Sequence, residues 1–286
     1  ELVIPKNCNQ CPVVILVHGS GPNDKDETIG PNKVFKDLAL GLAAKGVASF
    51  RYDKRFKLYP DKMKEPFDIY DETVNDAITA YDVLNRDTSL NFGKYVMLGH
   101  SLGAYAIPLL TDSLKQLNGA VLFSSNARRF EDLIVYQMNY LTSWDGEITP
   151  EEAELVATNL KNAEKIRNGL FTDSTSAEEL LAYWPGKFWN SIKDYNPVNT
   201  LSQQDSMHFF VMQGEKDYQI TMVDYKIWLD KVGNNSNVTM RSYPNLSHLF
   251  TPTKSEKPGP SDYFYPNNVS ELAINDIADW IRLVVP

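Results

Sequence analysis

Residues 94–106 read KYVMLGHSLGAYA: an apolar run from Tyr95 to Leu98, a turn at Gly99-His100-Ser101-Leu102-Gly103, and then a helix-forming stretch. A G-x-S-x-G pattern between a strand and a helix has a mechanical meaning. The serine is held at a sharp reversal, in a sparsely allowed backbone region, and the flanking glycines leave room where a Cβ would collide with the facing elements. The Ser101 hydroxyl is thereby pushed out of the sheet end, at the N-terminus of a helix.

The rest of the chain keeps the rhythm this turn implies. Val13–Val17 is a continuous β-branched and apolar run, suited to a strand buried on both faces. His18-Gly19-Ser20-Gly21-Pro22 and a long polar loop follow, then an amphipathic helix over 34–44 closed by Gly46. A strand is expected over 47–52, and Thr73 with Asp76 reads as a capping box for the next helix. Pro108 is expected to kink or shorten the helix after Ser101. Further strands are expected over 120–124, 208–213 and 238–243, with helices opened by Thr221 and Ser270. Alternating strands and helices predict a parallel sheet with helices on both faces.

That alternation breaks over 127–200, which reads as helix and loop only. Thr149-Pro150-Glu151-Glu152 caps a helix running to about Asn168, and Ser176 with Glu179 reads as the start of another, ending near Pro185. Many of the chain's aromatic residues lie here, Trp144 and Trp184 among them. The expected organisation is one α/β catalytic domain, 1–126 and 201–286, carrying a helical cap at 127–200. Some cap aromatics are expected to face Ser101 as a lid.

With 286 residues, 43% of them hydrophobic, the chain can bury a core without staples. A net charge of −9 argues against nucleic acid and anionic membranes as partners, and no apolar run is long enough to span a bilayer. The chain starts at Glu1 without an initiator Met, which reads as a trimmed or mature product. Cys8 and Cys11, the only cysteines, lie at an expected hairpin turn and suit a short turn disulfide or a free pair. Pro12 and a strand follow them, so a thioredoxin-like motif is not expected, and zinc would lack two ligands. A disulfide would favour an extracytoplasmic or secreted location. Four N-x-S/T sequons, at Asn234, Asn237, Asn245 and Asn268, read as incidental in an asparagine-rich surface.

A serine nucleophile needs a base, and the base an orienter. Of four histidines, only His248 lies on a loop after the last strand, free to reach back over the sheet edge. Asp217 follows a strand end and is the expected orienter, with Asp205 and Asp194 as alternatives. The order Ser, Asp, His fits the strand–serine–helix turn. Oxyanion donors are expected at the Leu102 amide and in the small-residue loop after Val17, Ser20 favoured and Gly21 the fallback. Gly21, His100, Trp144 and Trp184 are candidate substrate-binding residues. The Asp24–Glu27 and Arg51–Arg55 segments follow adjacent strand ends, which leaves two readings open: their opposite charges pair and shape the rim, for instance Asp26 with Arg55, or they are two independent solvated loops.

With these motifs in place, the chain resembles the α/β-hydrolase superfamily. The stretch HGSGPNDKDETIGPNKVFKDLALGLAAKGVASFRYDKR is similar to a branch of bacterial carboxylesterases related to dienelactone-hydrolase-like and acyl-thioester-hydrolase-like proteins. The resemblance implies an eight-stranded, mostly parallel sheet and a serine esterase mechanism without metal or organic cofactor. It also implies a Ser101–His248–Asp217 triad with Ser20 and Leu102 as the oxyanion hole. The expected partner is a small-molecule ester with an apolar acyl or aryl group. An acyl thioesterase uses the same residues, and a catalytically silent hydrolase fold acting as a binding protein is the alternative of another class.

Overall fold

A computed structural model of the chain describes residues 1–87, 89–114 and 117–284. Its central sheet holds β1 (Leu2–Val3), β2 (Val13–Val17), β5 (Ala48–Phe50), β6 (Tyr95–His100), β7 (Gly119–Phe123), β8 (His208–Gly214) and β9 (Val238–Tyr243). A two-residue hairpin, β3 (Thr28–Ile29) and β4 (Asn32–Lys33), stands apart. The spatial order is β1-β5-β2-β6-β7-β8-β9, and only the β1–β5 pair is antiparallel. The described residues therefore supply seven sheet strands rather than eight, with the two-residue β1 at one edge.

Because side chains alternate across a strand, each strand feeds two cores. Val14, Leu16, Val96, Leu98, Val121, Phe123, Phe210 and Met212 pack with helices α1 (Val34–Ala44) and α10 (Glu271–Val284). Val13, Ile15, Val17, Met97, Ala120, Leu122, Phe209 and Val211 face the other layer. That layer contains α3 (Asn75–Arg86), α4 (Leu102–Ser113) and α9 (Met222–Val232). Each Leu, Ile or Phe so buried contributes roughly 1.5–3 kcal/mol. The edge strand β9 instead alternates exposed and half-buried residues until Tyr243.

Between β7 and β8 the chain is helical: α5 (Phe130–Thr142), α6 (Pro150–Arg167), α7 (Gly186–Ile192) and α8 (Pro197–Ser202). The Thr149–Glu152 capping box forms as read, with Glu152 N donating to Thr149 Oγ1 at 3.2 Å and Thr149 N to Glu152 Oε2 at 2.9 Å. The helix expected from Ser176 does not form. Two single 3-10 turns take its place, broken where Ala182 and Tyr183 enter the left-handed region at φ 56° and 55°. Helix α7 then starts at Gly186, where a Cβ would lie 1.9 Å from the Thr172 carbonyl oxygen. Leu180, Phe188 and Trp189 belong to the same buried cluster as Leu102 and Tyr105, so this segment's core is continuous with that of the sheet.

Two other local expectations change. The Thr73–Asp76 capping box is absent, because Asp76 accepts from the Arg55 amide and Nε at 2.8 and 2.6 Å; α3 starts at Asn75 after a π-helical turn, Tyr70–Val74. Helix α4 runs through Pro108 to Ser113. Cys8 and Cys11 are joined in a disulfide. No described helix is long and apolar enough to cross a membrane.

Candidate active site

Parallel strands β2, β6, β8 and β9 end on one edge of the sheet, so the loops after them converge there. Ser101 occupies the turn between β6 and α4 with φ 55° and ψ −119°. Such a conformation costs on the order of 1–3 kcal/mol and persists only when its surroundings hold it. Here the Ser101 amide donates to the Phe123 carbonyl at 3.0 Å and its carbonyl accepts from the Tyr105 amide at 2.9 Å. The two glycines are required by contact: a Cβ on Gly99 would lie 2.5 Å from the Gly103 carbonyl carbon, and one on Gly103 would lie 2.2 Å from the Val17 oxygen.

Asp217 follows β8, fully buried at its carboxylate. Its Oδ2 accepts from His248 Nδ1 at 2.7 Å and from Gln213 Nε2 at 3.1 Å, while Oδ1 accepts from the amides of Gln219 and Ile220 at 2.8 and 2.9 Å. Four donors fix its position. His248 is held in turn, on the loop after β9. The rivals are elsewhere: Asp205 borders a separate hollow beside Leu114 and Gln203, and Asp194 is exposed after α7. Ser101 and His248 border one cavity, with no hydrogen bond between Oγ and the ring; such bonds often tighten only when substrate is bound.

The loop after β2 is wired by buried charges. The Gly19 amide donates to Glu27 Oε1 at 2.7 Å, and the Gly21 amide donates to Glu72 Oε1 at 2.8 Å. Lys54, 1% exposed, donates to the Gly19 carbonyl at 2.9 Å and to Glu72 Oε2 at 2.7 Å. Ser20 is thus the one residue of Gly19–Gly21 whose amide no group in the described chain accepts. This removes Gly21, at φ +92°, as the fallback donor. The Leu102 amide, first in α4, has no intrahelical acceptor either.

Glu27, Lys54 and Glu72 were not singled out as site residues by sequence reasoning. Each is one charge in a loop or helix start, and only their convergence on one backbone turn shows their use. The rim pairing does exist, with other partners: Asp26 pairs with Arg51 and Lys33, and Arg55 pairs with Asp76.

His100 is placed beneath the cavity rather than in it as a binding group. It is 2% exposed, with Nδ1 2.9 Å from Glu27 Oε2, Nε2 3.0 Å from the His248 carbonyl oxygen, and its ring 4.7 Å from the His248 ring. A carbonyl and a carboxylate both accept, so both ring nitrogens donate and His100 is an imidazolium. Burial opposes that charge, but the Glu27 carboxylate and its hydrogen bond outweigh it and raise the His100 pKa. Burial likewise pushes Glu27 up, and the His100 charge and hydrogen bonds bring it below its ordinary value. His18 is the opposite case: burial lowers it to about 4, so it is neutral, with Nε2 3.0 Å from the Asp24 carbonyl oxygen.

Two cavities meet at Ser20 and Ser101. One, of about 330 Å³, is bordered by Asn23, His248, Tyr218, Gln219 and Tyr263. The other, of about 290 Å³, runs under the helical segment and is bordered by Leu102, Phe130, Leu133, Ile134, Trp184 and Ile220 together with the amides of Asn126, Gln137 and Gln219. Trp184 thus reaches the site, stacked 5.3 Å from Phe130. Trp144 does not: its indole packs against Gly259, outside both cavities, because the 251–268 loop folds over it. Among the described residues no cluster of His, Cys, Asp or Glu is arranged to hold a metal ion.

No protein-family model matches the chain. It is 31% identical over 284 residues to esterase EstD of Thermotoga maritima, a match covering 98% of this chain and 64% of that protein, so the chain spans under two thirds of its relative's length. Est1E from Butyrivibrio proteoclasticus, solved with ferulic acid bound, superposes with a TM-score of 0.61 at 14% identity, covering 100% of this chain and 94% of that one. The Pyrococcus furiosus esterase Pf2001 gives 0.57 at 12% identity, covering 96% and 82%. The sheet order, the strained serine between β6 and α4 and these superpositions agree: the chain has the α/β-hydrolase fold.

Proposed function

We propose that this protein is a serine hydrolase that cleaves carboxylic esters through an acyl-enzyme. The observation carrying the reading is the convergence of Ser101, the Asp217–His248 pair and the unclaimed Ser20 and Leu102 amides on one sheet edge. The likeness to EstD supports it.

In this mechanism the His248 ring, its Nδ1–H donated to Asp217, takes the Ser101 proton at Nε2. Ser101 Oγ bonds to the ester carbonyl carbon, and the carbonyl oxygen becomes an alkoxide held by the Ser20 and Leu102 amides. Each such donor contributes about 3 kcal/mol to the transition state. The alkoxide collapses, the alcohol leaves with the His248 proton, and water repeats the sequence to release the acid. The cavity under the helical segment, with Phe130, Leu133, Ile134 and Trp184 among its walls, receives the acyl or aryl group, making residues 127–200 a cap over the site. The Cys8–Cys11 disulfide favours an oxidising compartment.

The test is a series of 4-nitrophenyl esters, acetate to palmitate, on wild type and Ser101→Ala. Turnover lost in Ser101→Ala is expected. Equal turnover by the two proteins, or none by either, would overturn the reading.

A further inference from the structure

The two cavities at Ser101 differ in which catalytic group they touch. His248 borders only the 330 Å³ cavity, and Leu102 borders only the 290 Å³ cavity. If the serine ester hydrolase reading holds, the leaving oxygen must lie beside His248, which protonates it, while the carbonyl oxygen lies at the Ser20 and Leu102 amides. The alcohol half of the substrate is thereby directed into the first cavity and the acyl half into the second.

The first cavity is polar. Asn23, Tyr218, Gln219 and Tyr263 border it, with Ile29 its one aliphatic wall. Asn23 Nδ2 is engaged by the Gly19 and Ser20 carbonyls, and Gln219 Nε2 donates to the Tyr263 hydroxyl at 3.1 Å. The amide oxygens of Asn23 and Gln219 and the Ser20 hydroxyl have no partner among the described residues. Burial raises the Tyr218 pKa to about 12 and holds that of Tyr263 well above the ordinary phenol value, so both phenols stay protonated. Free amide oxygens ask for hydroxyl donors.

Charge narrows the class further. No Lys or Arg borders this cavity, and its one ionisable carboxylate, Glu27, is consumed by His100 and the Gly19 amide. The one cation bordering it, His100, is buried with both ring nitrogens taken by Glu27 and the His248 carbonyl, so a phosphate-bearing leaving group such as coenzyme A finds no free cation there, on a chain of net charge −9.

We propose that the His248-side cavity is a leaving-group site for an uncharged, hydroxyl-rich alcohol, a sugar or polyol, esterified to an apolar acid. A site built to bond hydroxyls discriminates against partners that lack them, because its own polar groups are then left unpaired.

The test compares 3-phenylpropanoyl esters of methanol, glycerol, the 6-hydroxyl of methyl glucoside, and coenzyme A, all sharing one acyl group. The glyceryl and glucosyl esters should exceed the methyl ester in kcat/KM by about tenfold or more, and the coenzyme A thioester should fall below it. In Tyr218→Phe, which removes a hydroxyl from a wall that borders this cavity and not the other, the glucosyl-to-methyl ratio should drop about 2- to 10-fold. Methyl ester cleavage that requires Ser101, with a glucosyl-to-methyl ratio near one or a preference for coenzyme A, would overturn this proposal while leaving the esterase reading standing. Failure to cleave any of the four would overturn the esterase reading and this proposal with it.

Discussion

Glu27→Ala should be the most informative single change outside the reacting groups. Glu27 is 1% exposed and accepts from the Gly19 amide and from His100, which also holds the His248 carbonyl. One carboxylate thus ties the loop bearing His248 to the loop bearing the Ser20 amide. Its removal leaves a buried cation and an unsatisfied amide, which together cost about 3–5 kcal/mol. For a chain of this size that is a fall in Tm on the order of 10 °C. Glu27→Gln is the control: Oε1 still serves Gly19, and a neutral His100 can accept from the new amide, so the loss should be about 1 kcal/mol. The pH dependence separates them further. His100 is raised and Glu27 lowered, so the pair stabilises in full between the unfolded values of about 4.5 and 6.5. That stabilisation is lost as pH falls through the native Glu27 value, and as pH rises through the native His100 value. The wild-type advantage over Glu27→Gln in urea unfolding should therefore be widest between those limits. A Glu27→Ala protein within about 1 kcal/mol of wild type, or a Gln variant as unstable as the Ala variant, would refute the reasoning.

Asp217→Asn should leave the fold in place and lower kcat by about 10⁴, because the His248 tautomer is no longer enforced; steady-state kinetics and circular dichroism on one preparation check both halves. Gly103→Ala must drive a Cβ to within 2.2 Å of the Val17 oxygen, so β2 and α4 separate; a Tm more than about 5 °C below wild type is expected, and an unchanged Tm would contradict the contact. Trp184→Ala opens the wall of the cavity under the helical segment, and should reduce kcat/KM for aryl or long acyl esters about tenfold relative to acetate.

The elbow was legible in the sequence because its constraint is local: Gly99 and Gly103 touch within five residues, and the pattern of apolar runs around them dictates a buried sheet. Ser101, Asp217 and His248 could be ranked for the same reason, since each follows a strand whose end the periodicity marks. The wiring of the Ser20 loop was not legible. Glu27, Lys54 and Glu72 come from separate segments, and the two acids are unmarked among 37 acidic residues until the fold brings them to one turn. The assignment of Trp144 to the site failed because burial against Gly259 is a tertiary fact with no sequence period. The helix expected at Ser176 failed because packing of Leu180 and Leu181 into the core overrides a capping signal.

The central claim is that Ser101 is the nucleophile, and covalent capture tests it most directly. Wild type and Ser101→Ala would be treated with diethyl 4-nitrophenyl phosphate and the intact and digested proteins weighed. One diethylphosphoryl group per chain, on the peptide carrying Ser101, with ester turnover lost in step and no adduct on Ser101→Ala, is the predicted result. Modification of another residue with loss of turnover, or an active enzyme that takes up no adduct, would contradict it.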